Sequence, residues 1–82
     1  MNRSEILSKI SALIQDVLSD DSLEITEESV AAEIEDWDSI NHVEIIASIE
    51  EDFDIRFKTL EIEEFTNVGD ILTGIEAKLK AK

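Results

Sequence analysis

Cysteine and proline are absent from the 82 residues, glycine occurs twice, and no lysine or arginine lies between Lys9 and Arg56. Without cysteine there is no disulfide framework, no thiol nucleophile and no thiolate metal site, so any reactive thiol this protein uses must arrive on a cofactor. No apolar run approaches the length of a membrane span, and the first residues lack the apolar region of a signal peptide. A cytoplasmic protein that does not associate with membrane is therefore expected. The length suits a single small domain over 1–82 with a modest core, expected to be a monomer.

What is abundant is negative charge. Twenty-one acids oppose seven bases, a net charge of −14, and fifteen of the acids fall in the base-free interval between Lys9 and Arg56. The bases gather near the ends, notably at Lys78, Lys80 and Lys82. Such a field repels nucleic acid and anionic membrane and attracts basic protein surfaces.

Apolar periodicity predicts an all-α fold, a small four-helix bundle of three longer helices and one short helix, with a long loop between the first two. The first helix starts near Ser4, a candidate cap, and carries Ile6, Leu7, Ile10, Leu13, Ile14, Val17 and Leu18 on one broad face. From about Ser19 to Asp38 the periodicity degrades, and Leu23, Ile25, Val30, Ile34 and Trp37 are the candidate anchors of a long connection. A short helical turn over Glu27 to Ala32, capped by Thr26, is expected within it. After the central helix, residues 54–58 read as an extended connector. A short helix over Glu61 to Phe65 follows, with Thr59 as its cap. Thr66 or Asn67 then caps a last helix with Val68, Ile71, Leu72, Ile75 and Leu79 along a narrow stripe, weakened by Gly69 and Gly74.

The central stretch is Asp36-Trp37-Asp38-Ser39-Ile40-Asn41-His42-Val43-Glu44, running on to Phe53. Asp38 and Ser39 are both good N-cap residues, so a helix opens here. At roughly 100° per residue, His42, Ile45, Ile46, Ile49 and Phe53 gather on a core side. Ile40, Val43 and Ala47 gather opposite, among Glu44, Glu50 and Glu51. A solvated face requires no aliphatic stripe, so this second stripe predicts a partner-binding surface.

Enzymatic chemistry finds little support. A Ser39, His42 and Asp38 or Asp36 triad would place the only histidine on the serine's own helix. No glycine-flanked nucleophile turn or oxyanion hole accompanies it. A calcium loop starting at Asp36 fails at Ile40, Asn41 and Ala47, and one starting at Asp52 fails at Arg56, so no dedicated metal site is read.

The pattern Asp38-Ser39-Ile40, followed by Val43-Glu44-Ile45-Ile46, Ile49-Glu50-Glu51-Asp52-Phe53-Asp54-Ile55 and Thr66-Asn67-Val68-Gly69-Asp70-Ile71, resembles the acyl carrier protein family over nearly the whole chain. The Trp37-Asp38-Ser39 form with His42 looks like free-standing carriers outside the housekeeping fatty-acid subset. Ile40 stands where the family usually has leucine, Asn41 where fatty-acid carriers often have an acid, and Ala47 where they often have methionine. The resemblance implies a non-catalytic carrier of fatty acid, polyketide or secondary metabolite biosynthesis. Ser39 would hold 4′-phosphopantetheine donated from coenzyme A by a phosphopantetheinyl transferase. An acyl or aminoacyl group would ride on it as a thioester, presented to loading and acyl-using enzymes with basic docking surfaces. Asp38, Ile40, Val43, Glu44, Ala47, Glu50 and Glu51 are the expected partner-binding residues. The alternative is an unmodified acidic helical adaptor that only binds proteins.

Overall fold

The computed structural model describes residues 2–81. Helix α1 covers Arg3–Leu18, α2 Ser39–Phe53, α3 Thr59–Glu64 and α4 Val68–Ala81, and a 3-10 turn over Ala31–Glu33 lies in the long first connection. The all-α order is the one that periodicity predicts. Extended pairing among the described residues is limited to an isolated antiparallel bridge between Val30 and Asn67.

Each long helix turns one apolar stripe inward. Ile6, Ile10, Ile14 and Leu18 of α1, Ile45, Ile46, Ile49 and Phe53 of α2, and Val68, Ile71, Leu72 and Ile75 of α4 are buried. Each such side chain contributes roughly 1.5–3 kcal/mol through removal from water. Trp37, Ile55 and Phe57 enter the same cluster from the connections. Helix α3 buries no residue fully and meets the cluster through the half-buried Ile62 and, just beyond its end, Phe65.

Helix boundaries depart from the sequence reading in three places. Asn2, not Ser4, caps α1: its Oδ1 accepts the Glu5 N–H at 2.8 Å while Glu5 Oε1 accepts the Asn2 N–H at 3.3 Å, a reciprocal capping box. Helix α3 begins at Thr59, so Thr59 is its first helical residue and Lys58 precedes it. There Glu61 Oε1 accepts the Lys58 N–H at 2.9 Å and also pairs with Lys78 Nζ at 3.0 Å. The expected helical turn over Glu27 to Ala32 is replaced by a Thr26–Ser29 turn, in which Thr26 Oγ1 accepts the Glu28 N–H at 3.2 Å, followed by the 3-10 turn.

The reason lies in α4, whose first amides lack helical partners. Val68 N–H donates to Ser29 O at 2.9 Å and Gly69 N–H to Glu27 O at 2.8 Å. Asn67, rather than Thr66, supplies the side-chain cap, its Oδ1 accepting the Asp70 N–H at 2.8 Å. The long connection is thus pinned to the start of α4 by backbone carbonyls that a helix over 27–32 would have turned elsewhere. Arg3 closes the same end: Nε donates to Glu27 at 2.8 Å, Nη2 to Gly69 O at 3.1 Å, and Nη1 to Glu76.

The two glycines that weaken α4 by propensity sit where other segments approach closely. A Cβ at Gly69 would lie 3.0 Å from Glu27 O, the oxygen that accepts the Gly69 N–H. One at Gly74 would lie 3.0 Å from Phe65 and 3.1 Å from Phe57, two rings packed edge to face with centroids 5.1 Å apart.

Candidate functional site

Ser39 is the first residue of α2, and the sequence leaves open whether it or Asp38 caps the helix. The structure assigns the cap to Asp38, whose Oδ1 accepts the Asn41 N–H at 2.8 Å and whose backbone carbonyl accepts the His42 N–H at 2.8 Å. Asn41 Nδ2 donates back to Asp36 O at 2.7 Å, and the Asp38 N–H donates to the same carbonyl at 3.1 Å. The turn entering α2 is therefore cross-linked by its own polar groups, with buried Trp37 as its apolar plug. Ser39 is left exposed, and its hydroxyl forms no hydrogen bond among the described residues.

Ser39 stands on the wall of a crevice of about 630 Å³ between α2 and α3. Ser39, His42 and Val43 line it from α2, and Thr59, Ile62 and Glu63 from α3. Trp37, Ala31 and Phe65 complete its apolar surface. The α3 wall is fixed by His42, which the sequence marks only as a core-side residue. Trp37 Nε1–H donates to His42 Nδ1 at 2.9 Å, and His42 Nε2 lies 3.1 Å from Ile62 O. Indole can only donate, so Nδ1 is the acceptor and Nε2 carries the proton that reaches Ile62. One imidazole thus ties the loop, α2 and α3 together. Both ring nitrogens are engaged away from Ser39, which removes the base that a Ser–His hydrolase would need. No group of three or more metal-ligating side chains occurs among the described residues.

The expected partner-binding residues divide by exposure. Ile40 is 78% and Val43 62% exposed, and Glu44, Ala47 and Glu51 are exposed on the same face. Asp38 is exposed but holds the cap. Glu50 differs: it is half-buried, and its Oε2 accepts the Phe57 N–H at 2.7 Å, fastening the connector to α2. Thr59, Ile62, Glu63 and Phe65 were beyond the reach of local sequence reasoning, because α3 meets α2 only through tertiary contact about twenty residues downstream.

A second hollow, of about 620 Å³, lies around Arg3, Glu27, Asn67 and Asp70. Its one cation is engaged by Glu27, Glu76 and Gly69 O, so this hollow is part of the clip between α1 and α4.

Known proteins resemble this chain over most of its length. The family model described as a phosphopantetheine attachment site matches residues 8–75. The chain is 38% identical to an acyl carrier protein of Thermosynechococcus vestitus, over 99% of this chain and 100% of the relative. It is 32% identical to one of Thermotoga maritima, over 95% of this chain and 96% of the relative. The solution structure of a holo acyl carrier protein from Geobacter metallireducens superposes with a TM-score of 0.84 at 33% identity, covering 92% of this chain and 86% of that one.

Proposed function

The chain belongs to the acyl carrier protein family, phosphopantetheine-bearing carriers and not enzymes, and from that premise we propose that Ser39 is the residue that holds the arm. The observation that carries this is the division of labour at the start of α2: Asp38 satisfies the helix amides, so the exposed Ser39 hydroxyl is left unbonded. The surroundings fit the group. Beyond its cap, Asp38, the first turn of α2 contains no acidic side chain, and the exposed position of Ser39 leaves a phosphodiester there in solvent. The crevice beside it offers an apolar wall along which an arm can lie.

Attachment is a group transfer. Ser39 Oγ bonds to the pantetheine-side phosphorus of coenzyme A, the pyrophosphate linkage breaks, the adenosine bisphosphate half leaves, and the hydroxyl proton passes to the transferase. Both ring nitrogens of His42 are engaged away from Ser39, which supports an external phosphopantetheinyl transferase as the source of activation. Once bound, the arm supplies the terminal thiol that a cysteine-free chain cannot, and it carries the acyl group as a thioester.

The exposed Ile40, Val43, Glu44, Ala47 and Glu51, beside Asp38, are proposed as the face that loading and acyl-using enzymes read, with Glu50 contributing through the connector it holds. Residues 1–82 are proposed to act as one carrier domain, supported by a hydrophobic cluster that draws on all four helices. No helix among the described residues is long and apolar enough to cross a membrane. A cytoplasmic location is proposed, where coenzyme A and the acyl-using enzymes meet.

Intact-mass measurement after incubation with coenzyme A and a transferase tests the assignment. Wild type should gain one phosphopantetheinyl group and Ser39→Ala none. A wild-type mass left unchanged by a transferase that modifies another carrier would favour the unmodified adaptor. Modification that survives Ser39→Ala would move the site to another serine.

A further inference from the structure

The chain has one histidine and one tryptophan, and the two side chains are bonded to each other at the turn that enters α2. Indole can only donate, so the Trp37–His42 bond at 2.9 Å exists only while Nδ1 keeps its lone pair. An imidazolium has no acceptor, because both of its nitrogens carry hydrogen. A proton added to His42 would set two N–H groups against each other, and this bond must then open. The contact of Nε2 with Ile62 O at 3.1 Å behaves differently, since Nε2–H donates in either charge state. Protonation therefore leaves the tie to α3 its donor. It releases Trp37.

The surroundings admit both the proton and the charge. His42 is half-buried and lines the crevice beside Ser39, so water reaches it. Imidazole is the side chain whose charge ordinarily changes between about pH 5 and about pH 8. The titratable groups that line the crevice with it are Asp38 from the loop and Glu63 from α3. Ala31, from the 3-10 turn, brings no charge, and no lysine or arginine is among the lining residues. An imidazolium here faces carboxylates alone.

The element released is the one that sets Ser39. Trp37 is only 7% exposed and lies two positions before Ser39. Its backbone N–H is held by Ile34 O at 3.1 Å, on the loop's own side, whereas its indole N–H reaches across to α2. Once that bond opens, the buried indole N–H is left unsatisfied until the ring turns toward water.

We propose that His42 is a proton-operated latch on the turn that carries Ser39. Neutral imidazole holds Trp37 in the core, and the imidazolium lets it go. The stabilisation from this bond is present in full while the imidazole is neutral and is lost as it takes up a proton. The latch rests on the Trp37–His42–Ile62 geometry, and its bearing on the carrier rests on Ser39 as the attachment site.

Nuclear magnetic resonance of the unmodified, 15N-labelled protein tests this, because one imidazole and one indole give unambiguous signals. Between about pH 8 and about pH 5 the indole N–H resonance should move along the same curve as the imidazole nitrogens. Its protection from solvent exchange should fall about tenfold across that transition, as expected for loss of one internal hydrogen bond. His42→Asn keeps an acceptor close to the Nδ1 position and cannot take up the proton, and its indole resonance should stay flat over the same range. An imidazole that protonates while the indole resonance stays still would overturn the latch. So would an imidazole that remains neutral throughout, or an indole transition that persists in His42→Asn and so belongs to Asp38 or Glu63. None of these measurements involves loading, so failure of the latch is distinguishable from failure of the Ser39 assignment.

Discussion

The Trp37 indole N–H donates to His42 Nδ1 at 2.9 Å, and this bond fixes the imidazole tautomer whose other nitrogen holds α3. His42→Phe would retain an aromatic ring but leave the largely buried Trp37 N–H without its partner and release Ile62 O. The loss should be about 1–3 kcal/mol. Trp37 is the only tryptophan, so its fluorescence reports directly. Its emission should shift to the red in His42→Phe under native conditions.

The assignment of the cap gives a contrast between adjacent residues. Asp38→Ala should destabilise the protein by about 0.5–2 kcal/mol, because the Asn41 N–H loses its acceptor. Ser39→Ala should change stability by less than about 0.5 kcal/mol, since the hydroxyl supports nothing in the fold. Urea denaturation of the unmodified proteins measures both. A large loss in Ser39→Ala would return the cap to Ser39.

Alanine at position 69 should destabilise α4 despite its better helix propensity. The added Cβ would meet Glu27 O at 3.0 Å, and that carbonyl cannot retreat without stretching its bond to the Gly69 N–H. A net loss of about 1–2 kcal/mol is expected. Gly74→Ala should cost less, because the atoms it meets are the tips of Phe57 and Phe65, which can yield slightly. Equal melting temperatures for the two variants would contradict the distinction.

Glu61 ties α3 to acid stability. The Lys58 backbone N–H, and secondarily the Lys78 ammonium, hold its carboxyl below the ordinary carboxylate range. A carboxyl with a lower pKa folded than unfolded stabilises the fold fully above its unfolded pKa. That contribution disappears as pH falls through the folded value. Glu61→Gln should therefore melt below wild type at neutral pH, and the gap should close in acid. A gap independent of pH would assign the effect to shape instead of charge.

On α2, charge and apolar contact should separate kinetically. Glu44→Lys and Glu51→Lys should slow association with a basic partner enzyme, most visibly at low salt, because screening lengths shrink from about 30 Å at 0.01 M to about 10 Å at 0.1 M. Val43→Asp should act mainly by speeding dissociation. Stopped-flow binding to the transferase distinguishes the two effects. Lysine variants that associate at wild-type rates in low salt would reduce the acidic face to a solubility role.

The sequence by itself determined the inward stripes of α1, α2 and α4, the opening of α2 beside Ser39, the second apolar stripe of Ile40, Val43 and Ala47, and the concentration of acid. These are legible because a helix places residues three and four apart on one face, so the pattern is local. Tertiary structure decided what depends on partners distant in sequence. It chose a Thr26–Ser29 turn over the helical turn expected from Glu27 to Ala32, with the carbonyls of Glu27 and Ser29 accepting from the first amides of α4. It brought Glu27 O against Gly69 and the Phe57 and Phe65 rings against Gly74, where propensity marked both glycines only as weaknesses. It fastened Glu50 to Phe57, gave His42 its two bonds, and turned Ile62 toward the core. Each is a contact between separate segments, and a periodicity read along one segment carries no information about which carbonyl or ring another segment will bring to it.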